Sequence, residues 1–178
     1  MSVADWVKNA RNAGFSYAAA LDVSTLIPRR QVRGMCAADR CGMFEKCWTC
    51  PPACGTLKAC GAHIRRFSTG LLVQSVSELA DAFDYPGMQA AEQRHQAAFL
   101  AFYGQLRGAF GSVLALGAGG CRICAACTYP DMPCRFPKRA VSSMEAYGLL
   151  VSDVCLANGL DYYHGAGTIS YTGCYLLS

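Results

Sequence analysis

Four cysteines in the second half of the 178-residue chain have the spacing of a metal-binding loop. Cys121, Cys124 and Cys127 occupy every third position, and Cys134 follows after six intervening residues. In bacterial ferredoxins a comparable run, C-x2-C-x2-C-x3-C-P, binds iron–sulfur clusters through its thiolates. The gap before Cys134 is longer than in that run. The pattern nevertheless predicts a metal site and favours iron–sulfur chemistry.

A second group of cysteines lies nearer the N-terminus. Its six members fall within 25 residues: Cys36, Cys41, Cys47, Cys50, Cys54 and Cys60. Apolar burial does not explain this density, because the same segment carries several charged side chains. Cys50 precedes two prolines, as in the cysteine–proline endings of ferredoxin runs, but Cys47 and Cys50 are also spaced like half of a zinc knuckle. This first block therefore predicts metal ligation but does not distinguish an iron–sulfur cluster from a zinc ion.

Composition and charge narrow the class of protein. The chain has 12 cysteines and 53% hydrophobic residues, and its formal charge of +4 is too small to indicate a nucleic-acid partner. Residues 1–13 carry Asp5, Lys8 and Arg11, so they lack the apolar core of a secretory signal. No apolar run approaches the roughly 18 residues of a membrane span. Because disulfide-rich proteins are mostly secreted, we expect a cytoplasmic protein without a membrane segment, whose cysteines bind metal.

The apolar patterns predict an α/β fold in a single compact domain over residues 1–178. Three helices are predicted: residues 3–13, residues 90–108, and a third from a Ser142–Glu145 capping box to Asn158. Four strands are predicted: residues 15–23, 70–75, 112–117 and 168–177. The strand, helix and strand over residues 70–117 indicate a βαβ unit with a right-handed crossover in a small mixed sheet. The second cysteine block begins where this unit ends, so its site is expected at the carboxyl end of a parallel strand.

Some residues whose side chains could bind metal or take part in catalysis are expected to have only a structural role. Cys155 and Cys174 lie inside predicted regular elements, which favours buried free thiols. His63 and His95 are expected at the surface. The aromatic residues of the long helix follow helical spacing, which predicts core packing rather than a cofactor site.

Particular residues of both blocks match a family pattern. In the first block these are Cys36, Cys41-Gly42, Phe44, Lys46, Trp48, Cys50-Pro51-Pro52, Thr56-Leu57 and Cys60. In the second block and just after it they are Gly120-Cys121, Cys124, Cys127 to Asp131, Pro133 to Arg135, Pro137, Ser143 to Ala146 and Gly148. The chain thereby resembles predicted metal-binding proteins grouped as domain of unknown function 2284, found mainly in anaerobic bacteria and archaea. Phe44 stands where the family has tyrosine, the gap from Cys36 to Cys41 is one residue longer, and Cys47 and Cys54 are additional.

The resemblance implies a cysteine-ligated metal centre, with iron–sulfur clusters suspected and no reaction assigned. It implies one ligand set formed by Cys36, Cys41, Cys50 and Cys60. It implies a second set formed by Cys121, Cys124, Cys127 and Cys134.

We therefore expect an iron–sulfur protein with two [4Fe–4S] clusters that transfers single electrons in anaerobic metabolism and works with a redox partner protein. Arg135 and the backbone N–H groups of residues 117–124 are expected to donate to cluster sulfur. One alternative is an enzyme whose second cluster keeps one iron open, with Tyr129, Asp131 and His164 as acid–base groups. The other is a structural zinc protein with about one metal per four thiols. The sequence does not indicate an oligomeric state.

Overall fold

The computed structural model, which describes residues 2–178, contains five strands that pair into one mixed sheet. The strands are β1 Tyr17–Leu21, β2 Thr69–Glu78, β3 Val113–Gly117, β4 Ser142–Ser143 and β5 Thr168–Leu177. The helices are α1 Val3–Asn12, α2 Arg30–Ala37, α3 Leu57–Ile64, α4 Tyr85–Ala109 and α5 Val151–Ala157. Short 3₁₀ turns lie at Val23–Thr25 and Glu145–Tyr147. The predicted α/β class is confirmed. No helix in this described range combines the length and the hydropathy needed to cross a membrane.

The last strand of the chain, β5, lies at the centre of the sheet. The strand order is β1-β2-β5-β3-β4, and β5 pairs antiparallel with both β2 and β3. Strands β2 and β3 therefore run in the same direction and are joined by α4, as the predicted strand–helix–strand unit requires, but β5 lies between them. The central position follows from burial, because the last six residues of β5 are all buried and a strand covered on both faces belongs inside a sheet.

Helices cover both faces of the sheet. Side chains alternate along a strand, so Cys174 and Leu176 of β5 point into one core while Tyr175 and Leu177 point into the other. Helices α3 and α5 supply apolar side chains to the first core, and α1 and α4 supply them to the second. The sheet is therefore the middle of three layers.

Helix α4 packs its predicted aromatic face on the sheet. Phe99 stacks on Tyr175 with the ring centroids 4.4 Å apart, and the Tyr175 hydroxyl donates to the Phe99 carbonyl at 2.9 Å. Gly173 permits this approach, because a Cβ there would lie 2.5 Å from Phe99 Cε2. His95 lies one turn before Phe99 on the same face and is only 1% exposed, so the prediction of a surface histidine was wrong.

The predicted capping box does not begin the last helix. Ser142 and Ser143 form β4 and pair in parallel with the end of β3. The Ser143 hydroxyl accepts from the Ala146 N–H at 3.0 Å, but only the single turn Glu145–Tyr147 follows. Gly148 then ends that turn in the left-handed region, with φ of 78°, and α5 begins three residues later. The predicted end of the helix at Asn158 is confirmed.

Candidate metal centre

The second cysteine block lies in the loop that connects β3 to β4 and forms part of the wall of a cavity. The chain leaves β3 at Gly117 and returns to the sheet at Ser142. The intervening loop borders a cavity of about 630 Å³. Six cysteines line this cavity, which we call the second-block cavity: Cys121, Cys124, Cys127 and Cys134 from the loop, and Cys41 and Cys47 from the first block. The structure thus brings the four predicted cysteines of this block to one place, together with two from the other block.

Two hydrogen bonds within the loop bring the residues next to Cys127 close to those next to Cys134. The Thr128 hydroxyl donates to the Pro133 carbonyl at 2.9 Å, and Arg135 Nη1 donates to the Ala126 carbonyl at 2.9 Å. Both bonds close the segment between Cys127 and Cys134. We expected Arg135 to donate to cluster sulfur, but its Nη1 donates to a backbone carbonyl of the loop instead.

Trp48 joins the two cysteine blocks. Its Nε1 donates to the Met132 carbonyl at 3.0 Å, and its ring meets Tyr129 edge-on with the centroids 5.0 Å apart. These contacts hold Cys47 in the wall of the second-block cavity, where it is 2% exposed. The Cys47 thiol lies 3.3 Å from the Thr49 hydroxyl, and Cys47 lines the cavity together with Cys127. Sequence spacing left Cys47 unassigned, because the loop cysteines of this cavity lie in a distant part of the chain.

Three cysteines of the first block line a second cavity of about 620 Å³, which we call the first-block cavity. They are Cys36, Cys41 and Cys50. The Cys36 thiol donates to the Glu145 carbonyl at 3.7 Å, and so ties this block to the turn that follows β4. Three of the four residues predicted for the first ligand set therefore share one cavity, and Cys60 does not line it.

Cys60 lies beside Arg33 and Cys54. Arg33 Nη2 donates to Cys60 Sγ at 3.3 Å, and Arg33 Nη1 donates to the Gly55 carbonyl at 2.9 Å. A hydrogen bond from the Cys54 thiol, followed by the Arg33 charge, lowers the pKa of Cys60 to about 6 despite its burial. The same hydrogen bond and burial raise the pKa of Cys54. The Arg33 guanidinium beside Cys60 favours its thiolate, because a nearby positive charge stabilises the ionised form.

Burial and mutual repulsion disfavour the thiolates of Cys50 and Cys121. Burial raises the pKa of Cys50 to about 12, and the neighbouring Cys47 adds to the shift. Burial likewise raises the pKa of Cys121, with Cys47, Cys134 and Cys124 contributing. Several thiolates packed this closely require a nearby positive charge to stay ionised together, and a metal centre supplies that charge.

The two cavities are adjacent. Cys41, Gly119 and Gly120 line both. Gly119 has φ of 72°, which favours glycine, and a Cβ on Gly120 would lie 3.1 Å from the Met43 side chain. Within residues 2–178, however, no three histidine, cysteine, aspartate or glutamate side chains are grouped as ligands of one metal ion.

The candidate acid–base residues are not gathered at these cavities. Tyr129 packs on Trp48, and Asp131 is exposed. His164 lies across the sheet, where its Nε2 is 2.8 Å from Gln74 Oε1 and its ring stacks on Tyr17. A smaller cavity of about 350 Å³ borders the second block instead, and Cys121, His95, Phe99 and Arg139 are among its lining residues.

A family model described as a predicted metal-binding protein (DUF2284) matches residues 19–177. The matched range includes both cysteine blocks and all the strands apart from the first residues of β1. No curated protein and no solved structure matches the chain.

Proposed function

The chain belongs to this family of predicted metal-binding proteins, and from that premise we propose that it is a cytoplasmic iron–sulfur protein. It would hold two [4Fe–4S] clusters and transfer single electrons in anaerobic metabolism. Its electrons would be exchanged with a redox partner protein. One observation carries the proposal: thiols from two distant segments line two adjacent cavities.

The size of the cavities favours a cluster over a single ion. Zinc binds four thiolates at about 2.3 Å in a tetrahedron, which places the sulfurs only about 3.8 Å apart. The six thiols of the second-block cavity instead line a space of about 630 Å³. Cysteine thiolate is also the ligand that iron–sulfur clusters use. The residues present therefore fit a polynuclear cluster better than one zinc ion.

The family pattern and the cavities together suggest the ligands. For the second-block cavity we propose Cys121, Cys124, Cys127 and Cys134, which the loop brings together. For the first-block cavity we propose Cys36, Cys41, Cys50 and Cys60. Cys60 does not line the first-block cavity, so it would have to move to join the first set, and the Arg33 donor beside it favours the thiolate that binds metal.

The surroundings of the thiols suit electron transfer. When bound, the clusters supply reversible one-electron chemistry. Cys50 and Cys60 are buried, whereas the four second-block thiols are half-buried, so an electron could enter or leave through the second-block centre. Cys41 lines both cavities, so the two proposed centres would be neighbours. Arg33, which donates to Cys60, would favour the reduced state because its positive charge attracts the added electron.

Spectroscopy of the anaerobically purified protein tests this proposal. We expect visible absorbance that bleaches on reduction and an electron paramagnetic resonance (EPR) signal in the reduced state. Cys124→Ala should remove one cluster, because it deletes a proposed ligand of the second-block cavity. Cys155→Ala is the matched control, since this thiol is fully buried in the core and lines neither cavity. A colourless wild-type protein without an EPR signal would refute the proposal.

A second candidate function is an enzyme whose second-block cluster has one open iron. The cavity of about 350 Å³ beside Cys121 favours it, because this volume falls within the range of small-molecule sites. An open iron would bind an added small ligand such as cyanide, and the EPR signal of the reduced wild-type protein would change. An unchanged signal would argue for full thiolate ligation and against this enzyme.

A further inference from the structure

The second-block cavity has one buried thiol more than a cluster needs. Four thiolates complete a [4Fe–4S] cluster. The loop already provides four, and two more come from the first block: Cys41, which we propose for the first-block set, and Cys47, which has no assigned role. Cys47 is the most deeply buried cysteine that lines this cavity, and the family pattern does not account for it.

The contacts of Cys47 direct it towards the second block. Its thiol lies 3.3 Å from the Thr49 hydroxyl, and the residue lines the second-block cavity together with Cys127. Cys47, Cys121 and Cys134 all line this one cavity. Trp48, the next residue, is anchored to Met132 on the same loop. Cys47 therefore occupies the same neighbourhood as the expected fourth ligand.

The loop geometry identifies which ligand Cys47 can replace. Cys121, Cys124 and Cys127 follow one another at every third position and form one short turn of ligands. Cys134 comes from the far end of the loop, in a stretch whose neighbours on both sides are exposed. The fourth position is therefore the one that a thiol from another segment can reach.

We propose that Cys47 is a reserve ligand of the second-block centre and exchanges with Cys134 at its fourth position. This inference rests on the proposed iron–sulfur function. The exchange is redox-neutral: one metal–sulfur bond to Cys134 breaks and one to Cys47 forms. The proton of the Cys47 thiol passes through solvent to the departing Cys134 thiolate. The exchange releases the exposed end of the loop while the centre keeps four thiolates.

Four variants test the exchange after anaerobic purification and reconstitution with iron and sulfide: Cys47→Ala, Cys134→Ala, the double variant and the Cys155→Ala control. Iron per chain and the EPR spectrum of the reduced protein are the readouts. Each single variant should keep the iron content of the wild type, because the other thiol completes the site. The double variant should lose about half of the iron.

Each other outcome overturns the exchange. If Cys134→Ala alone loses half of the iron, Cys47 does not substitute for it. If Cys47→Ala alone loses half of the iron, Cys47 is an obligatory ligand and not a reserve one. If the double variant keeps its iron, the fourth position needs no thiol. Circular dichroism and gel filtration of each variant against Cys155→Ala separate loss of ligation from loss of fold, and Cys47→Ser replaces Cys47→Ala if the latter unfolds. A wild-type protein without iron would refute the proposed function itself.

Discussion

Burial of His95 predicts that the protein loses stability at mildly acidic pH. The imidazole lies among aromatic rings on the inner face of α4, and its Nδ1 is 2.8 Å from the Ser75 hydroxyl. Burial lowers the pKa of His95 from 6.5 to about 4. The unfolded chain therefore takes up a proton before the folded chain does. The stability contributed by the neutral imidazole is fully present above about pH 6.5 and is lost as the pH falls towards 4.

The expected size follows from the two pKa values. A histidine with these pKa values in the unfolded and folded states lowers the free energy of unfolding by about 2 kcal/mol when the pH falls from 7.5 to 5.0. Glu145, whose pKa is raised by burial, acts in the opposite direction at lower pH. Its contribution cancels when wild type and His95→Gln are compared in the same metal state. Denaturant titrations of both proteins at the two pH values should show that the variant loses about 2 kcal/mol less than the wild type.

His63→Gln provides the matched control. His63 is only partly buried and is hydrogen-bonded to the Tyr147 hydroxyl, and burial lowers its pKa without moving it as far as that of His95. Its replacement should change the pH dependence by less. If wild type and His95→Gln lose equal stability between pH 7.5 and 5.0, the account of His95 as a neutral buried group is wrong.

Three further substitutions test particular contacts. Gly173→Ala should destabilise the fold by about 1–3 kcal/mol in denaturant titrations, because the new Cβ would lie 2.5 Å from Phe99 Cε2. Arg33→Gln should lower the reduction potential of the first-block centre on the order of 50–100 mV in anaerobic redox titrations, because it removes a positive charge 3.3 Å from Cys60 Sγ. Trp48→Phe should lower stability by about 1 kcal/mol and speed metal loss to a chelator, because it removes the donor that joins the two blocks.

Each of these substitutions has a control elsewhere in the chain. Gly111→Ala should be tolerated, since its Cβ would lie 3.7 Å from the nearest atom, and equal destabilisation would count against the packing argument for Gly173. Arg66→Gln removes a charge from an exposed position, and a potential shift as large as that of Arg33→Gln would make the effect nonspecific. Trp6→Phe changes a tryptophan that packs on Phe102 in the core, so it should not affect the rate of metal loss.

The sequence predicted what depends on local pattern. The spacing of apolar residues identified α4 with Phe99 and Phe102 facing the core, and the alternation in residues 168–177 identified β5. Local pattern does not specify pairing, so the insertion of β5 between β2 and β3 was not foreseen. The central place of β5 depends on burial of both its faces, which appears only when the helices are packed on the sheet.

The errors at the site have the same origin. His95 was expected at the surface because its polarity was weighed alone, whereas helical spacing places it one turn before Phe99 on the buried face. Arg33 was not predicted at the site, because its contact with Cys60 depends on how α2 and α3 pack. Cys47 could not be assigned because Trp48 reaches the second block only in the folded protein.

The most direct test of the central claim is the iron, acid-labile sulfide and zinc content of the protein after strictly anaerobic purification. Two [4Fe–4S] clusters predict about eight iron and about eight sulfide per chain, with little zinc. A colourless protein with about one zinc per four thiols and no sulfide would contradict the account.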